Sequence, residues 1–248
     1  MYCERYRIAE KVFEIRSQYA LGRKTGEDYR TEAPADYVLE LTQAHIDRER
    51  QWLAAGSGAE AAARWPDAWL EEMAMHRMVS ETLIECGAFL MHGSCIAVDG
   101  VGYLFTAPSG TGKSTHARLW RELLGERAVM VNDDKPMIRI GETAAIAYGS
   151  PWNGKEGLGD NISVPLRAIC FLSQAKENRI EEISGLEAYG PLMQQIYRPR
   201  DPLLVQKTLT LADKLLERVR LYRLGCNMDP AAAALSYGVM SGAEDCNG

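Results

Sequence analysis

Long apolar runs are missing from this sequence: no stretch approaches the length that crosses a bilayer, and residues 1–11 are charged throughout where a secretory leader would be apolar. A membrane-spanning helix is thereby excluded, and a cytoplasmic protein without a membrane partner is expected. Paired cysteines are missing too. Cys3, Cys86, Cys95, Cys170, Cys226 and Cys246 lie far apart, with no C-x-x-C pair and no Cys/His cluster at zinc spacing, so they are expected to be reduced thiols. No basic stripe runs along the chain either. With 34 Asp+Glu against 28 Lys+Arg the formal charge is -6, a field that repels a nucleic-acid backbone. Internal repeats are absent.

What is present suffices for one α/β domain, or a catalytic domain with a smaller appended subdomain: 248 residues bury a full core without staples. Residues 6–16 and 36–42 alternate apolar and polar side chains and are expected as strands with one wet face, separated by a polar, glycine-containing connection. Residues 43–53 are expected as a helix with Thr42 as N-cap, followed by an Ala/Gly/Ser stretch, 54–63, read as a frayed helix end or flexible loop. Between 69 and 86, Met75, Met78, Val79, Thr82, Leu83 and Cys86 fall at helical spacing opposite Arg77, Glu81 and Glu85. Beyond residue 94 the period shortens. Strands 94–98 and 103–106 are joined by Asp99-Gly100, a hairpin dipeptide, and a helix over 114–124 precedes a buried strand, 128–132. Short strands follow at 136–140 and 144–148, then a Gly/Pro/Asn-rich loop over 150–161 and an apolar strand at 166–172. A helix over 202–220 with core face Val205, Leu209, Ala212, Leu216 and Val219, a strand at 219–226 and an alanine-rich helix from Asp229 complete the chain. Trp65, Trp69 and Trp120 read as core packing. The pattern predicts a mixed α/β fold with an N-terminal α/β subdomain over 1–86 and a catalytic domain over 87–248.

The sharpest signal is Ala107-Pro108-Ser109-Gly110-Thr111-Gly112-Lys113-Ser114-Thr115, set between a β-rich run and an amphipathic helix, as a P-loop requires. A triphosphate must have its water replaced, and backbone N–H groups of a glycine turn aimed together with a helix N-terminus can do that. Ser109 to Thr115 would thus cradle ATP, Lys113 reaching the β- and γ-phosphates and the Ser114 hydroxyl completing the shell of Mg2+, with Thr115 in support. Ala107 stands where the motif has its first glycine.

Past that helix, the strand 128–132 ends in Asp133-Asp134, where a Walker B carboxylate belongs. Neighbouring strand residues point to opposite faces, so both serve one site only if the chain turns, and Pro136 favours that. One Asp would then hold the metal and the other accept the proton of an attacking hydroxyl; Asp133 is taken as the ligand beside Ser114, with the division left open.

Phe89-Leu90-Met91-His92-Gly93-Ser94, the two β-runs, the glycine turn and Val131-Asn132-Asp133-Asp134 together resemble the catalytic core shared by HPr kinase/phosphorylase and the ATP-type phosphoenolpyruvate carboxykinases, over roughly residues 89–140. The resemblance implies the P-loop core of those families as the fold, and it marks His92 as a residue near the transferred phosphate, Lys113 as the P-loop lysine, and Asp133 and Asp134 as the acidic pair. His45, His76 and His116 have no such context. Asn153 and Lys155 on the loop are candidates for touching phosphate or substrate, and Arg167 is a candidate cation for the charge on the transferred group. The chain is short for a carboxykinase and shows no arginine cluster for a diacid, so decarboxylation is disfavoured; the Glu-Val-Arg-Gly signature of HPr kinase is also missing. What this implies is a kinase that moves the γ-phosphate of ATP to a serine-type hydroxyl on a peptide, protein or small molecule, with assembly into a homo-oligomer left open. A nucleotide-dependent binding module without transfer is the alternative.

Overall fold

The computed structural model describes residues 1–20 and 26–242. Part of the expected connection after the first strands, and Cys246, lie outside the described residues. The chain divides into two compact units, Met1–Leu83 and Ile84–Gly248.

In the first unit, β1 (Tyr2–Ile8) and β2 (Lys11–Ser17) form an antiparallel hairpin, and β3 (Tyr37–Glu40) lies parallel to β2. The alternation over 6–16 is therefore two arms rather than one strand. Ala9 and Glu10 turn the chain with φ of 47° and 69°, a tight two-residue reversal made without the glycine or asparagine that usually marks it in a sequence. Helix α1 (Gln43–Ser57) follows Thr42, whose N–H donates to His45 Nδ1 at 3.1 Å, giving His45 a capping role. The stretch 54–63 is helical: α1 extends to Ser57 and α2 covers Ala59–Ala63. In α3 (Asp67–Glu85) the buried Glu71 accepts from the N–H groups of Gln18 and Tyr19 at 2.7 and 2.9 Å, fixing the end of β2. Trp65 is 42% exposed and stacks on Trp69 at 4.1 Å, so it is no core residue.

The second unit is built on a nine-stranded sheet among the described residues, in the order β4 (Ala88–Leu90), β8 (Met137–Ile140), β9 (Ala145–Tyr148), β10 (Ser163–Gln174), β6 (Val101–Thr106), β5 (Ser94–Val98), β7 (Ala128–Asn132). Off this path, β12 (Arg220–Cys226) pairs with both β10 and β11 (Arg179–Glu182). The long β10 organises it. Its first residues pair antiparallel with β9, and the remainder runs parallel to β6 and β12. Alternate residues of β10 enter two cores: Ile169 and Phe171 join Ala188 and Leu192 of α5 (Gly185–Gln195) and Ala212 and Leu215 of α6 (Pro202–Arg218), whereas Ala168, Cys170 and Leu172 join Ala117 and Trp120 of α4 (Lys113–Leu124) and Ala233 and Met240 of α7 (Ala231–Ser241). Burial on both faces explains the near-continuous apolar run in this strand. The sheet is mixed and helices cover both faces.

The core face of α6 differs from the expected one. Thr208, Ala212 and Leu215 are buried, while Val205 and Leu209 are 37% and 36% exposed, a rotation of the stripe that composition alone cannot fix. Three elements escape the periodicity argument: β4 is short, β11 is polar, and α5 carries Pro191 inside it. Its start was nonetheless written in a capping box, with Ser184 N–H donating to Glu187 Oε2 at 2.9 Å and Glu187 N–H to Ser184 Oγ at 3.3 Å. No described helix is long and apolar enough to cross a membrane.

Candidate active site

The chain leaves β6 at Thr106, makes the glycine turn and enters α4 at Lys113. Gly110 and Gly112 have φ of 81° and 118°, a region L side chains avoid, so these glycines serve backbone conformation. The Thr111 N–H and hydroxyl both donate to Pro108 O, at 3.3 and 2.9 Å, closing the turn. Lys113 is buried, and its Nζ donates to Ala107 O at 2.8 Å and Pro108 O at 3.4 Å. Burial lowers its pKa, while the charge of Asp134 raises it. Ser109, Gly110 and Ser114 are exposed, with Thr111 and Thr115 half-buried. The first amides of α4 have no carbonyl one turn earlier to bond, which leaves them as donors beside the turn.

Asn132, fully buried at the end of β7, directs the chain beyond it. Its Oδ1 accepts from the N–H groups of Asp134 and Lys135 at 2.9 and 2.5 Å, while its Nδ2 donates to Ser150 O at 3.1 Å and Asn153 Oδ1 at 2.8 Å. This side-chain turn gives the two aspartates different partners. Asp133 accepts from Gly154 N–H at 2.6 Å and Leu158 N–H at 3.3 Å, so it holds the loop 150–161; burial raises its pKa and those amides lower it. Asp134 instead makes contacts with His92 Nε2 at 3.4 Å and Lys135 Nζ at 3.2 Å, and its charge reaches Lys113. Asp133 thus holds the loop while Asp134 faces His92 and its charge reaches Lys113, and the two carboxylates stay close: the charge of Asp134 raises the pKa of Asp133, and a Cβ on Gly154 would stand 3.2 Å from Asp133 Oδ2 and 3.2 Å from Asp134 Cβ.

His92 follows β4. Its N–H donates to Gln195 O at 2.8 Å, its Nδ1 lies 3.0 Å from Gln195 Oε1, and its carbonyl accepts from Thr106 Oγ1 at 2.8 Å. Burial, then the charge of Lys113, lowers its pKa, against the opposing effects of Gln195 and Asp134. The next residue must be small, since a Cβ on Gly93 would sit 2.9 Å from Phe105 O. Gln195, at the end of α5, was missed by sequence reasoning; nothing local distinguishes it, and only the bridge between Met91 and Ile196 brings it to His92.

Arg167 is not part of this cluster. It lies between Leu166 and Ala168, which pair with Gly102 and Tyr103 at the start of β6, whereas the turn follows Thr106, which pairs with Phe171. That is roughly 13 Å of strand away, and the exposed Arg167 neighbours Tyr103 and Tyr222 instead. On the loop, Trp152 is buried, Asn153 is bonded to Asn132, and Lys155 is exposed. Beside the turn, between Thr115, His116, Gln174, Cys226 and Met228, opens a cleft of about 390 Å³. Among the described residues, no group of three or more His, Cys, Asp or Glu gathers as a metal site.

The model of the family described as SynChlorMet cassette protein ScmC matches residues 60–228, more than half of the chain. The chain belongs to the ScmC family. That match spans all the site residues above, from His92 to Gln195, so the cluster is a feature of an ScmC chain. No curated protein matches this ScmC chain. Among solved structures, the HPr(Ser) kinase/phosphatase from Coxiella burnetii is similar to it at 12% identity and a TM-score of 0.36, covering 64% of this chain and 99% of that one. A likeness at that level says nothing of activity.

Proposed function

We propose that this chain is an ATP- and Mg2+-dependent kinase with a P-loop, transferring the γ-phosphoryl group to a serine-type hydroxyl of a peptide, protein or small molecule. The observation that carries this reading is the meeting of three groups at one glycine turn: the buried ammonium of Lys113, the carboxylate of Asp134 and the imidazole of His92, 3.4 Å from that carboxylate. The amides of the turn and of the first turn of α4 bind the phosphates, and Lys113 offsets their charge. Magnesium would be held by the Ser114 hydroxyl, a sparse protein shell that suits this ion, and would supply charge neutralisation to the departing diphosphate. Asp134 accepts the proton of the attacking hydroxyl as the new O–P bond forms and the bond from Pγ to the diphosphate oxygen breaks. His92 contacts Asp134 through Nε2 and Gln195 through Nδ1, which places its ring between the carboxylate and the end of α5. Asp133 acts one step back by holding the loop.

The test is an acceptor screen over peptides, amino acids and sugars with Mg-ATP, read as the mass gain of one phosphate. Lys113→Ala is expected to abolish labelling, and Asp134→Asn to slow it by about 10²- to 10⁴-fold. Labelling that persists unchanged in Lys113→Ala would refute the reading. A second reading, a nucleotide-dependent binding module without transfer, draws on the attachment of the loop 150–161 to Asp133, next to the site. Tight Mg-ATP binding that controls capture of a partner, with no acceptor labelled by the wild-type chain, would favour it.

A further inference from the structure

The cleft beside the glycine turn differs chemically from the cluster at Lys113. Its lining includes Gly110 to Gly112 but none of Lys113, Asp134 or His92, and it holds no Asp, Glu, Lys or Arg. Ala175, Cys226 and Met228 give it an apolar side, and Met228 is 79% exposed, a large thioether side chain at its edge with little protein against it. Gln174 Nε2 donates to Thr111 O at 3.4 Å and ties this wall to the turn. The remaining wall contains His116, only 2% exposed. Its tautomer follows from its neighbours. Ser236 Oγ gives its one proton to Ala232 O at 2.9 Å and accepts from Trp120 Nε1 at 2.8 Å, so His116 Nε2, 3.0 Å away, is the donor in that contact. The other nitrogen, Nδ1, is then an acceptor, buried without a partner behind the wall of the cleft.

A polyphosphate on the turn with its terminal group at Lys113 and Asp134 has its opposite end in this uncharged cleft. Resting on the phosphate site of the kinase reading, we infer that the cleft is the nucleoside subsite, with the base against Met228, Ala175 and Cys226. Contact between a thioether and an aromatic ring favours such a seat for the base.

Calorimetry with Mg-ATP and with Mg-tripolyphosphate, which has the charge but no nucleoside, separates this inference from the reading beneath it. The wild-type chain is expected to bind Mg-ATP more tightly than Mg-tripolyphosphate. Met228→Ser, a change at an exposed position, is expected to weaken Mg-ATP by about fivefold and leave Mg-tripolyphosphate unchanged. Equal affinity of the wild-type chain for both ligands, or a Met228→Ser variant that leaves both unchanged or weakens both alike, would overturn the nucleoside subsite while keeping the phosphate site. Binding of neither ligand by the wild-type chain would overturn both.

Discussion

At the scale of single residues, burial of His116 has a consequence measurable in the ligand-free protein. Burial pushes its pKa down from 6.5 to about 4, so the ring is neutral when folded but takes up a proton in the unfolded chain below its ordinary value. Between these two values the unfolded state binds more protons, and stability therefore falls as pH drops from about 6.5 through about 4, by on the order of 3 kcal/mol if the whole interval is crossed. Urea unfolding of wild type and His116→Phe between about pH 7 and pH 5 should show a flatter dependence in the variant. Parallel pH curves would show that the ring titrates normally. Lys113 and Asp134 were visible in the sequence because their chemistry is bound to a local motif. His116 was not, because its isolation comes from Phe105, Ser236 and Trp120, residues on other elements.

At the scale of elements, the end of β7 decides what the acidic pair can do. Asn132 spends its amide on the loop and its carbonyl on the turn, and this gives Asp133 and Asp134 different partners. Replacing Asn132 by Ala would leave buried polar groups without partners and is expected to destabilise the chain by about 3 kcal/mol. Hydrogen exchange is the sharper measurement: the amides of Gly154 and Leu158, which Asp133 holds, should exchange faster in that variant than in wild type. Unchanged exchange there would mean that the loop is fixed independently of the β7 turn. Element positions after residue 94 were largely legible, since apolar strands, hairpin dipeptides and helix periods are local signals. The hairpin within 6–16 was not, as Ala9-Glu10 carries none of the usual turn residues, and the inward face of α6 was not, as Leu and Val stand on more than one side of it.

At the scale of the whole molecule, β10 has neighbours on both edges and cores on both faces, so its amides and those of β6 should open only with the whole second unit. In native-state exchange, Leu104, Phe105, Ile169 and Cys170 are expected among the slowest, and Arg179 to Glu182 on the outer strand β11 among the faster. Early exchange of β10 would contradict this assignment of the sheet's centre. The sequence by itself determined the glycine turn, the lysine that follows it, the acidic end of β7 and the mixed α/β character, because each depends on residues adjacent along the chain and on hydrophobic period. Only the tertiary structure decided which aspartate faces His92, that Gln195 braces His92, that Arg167 lies beside the start of β6 and not at the turn that follows it, and where the uncharged cleft opens. Those outcomes depend on strand register and on which distant segments share a boundary, and a long-range register leaves no mark in local spacing.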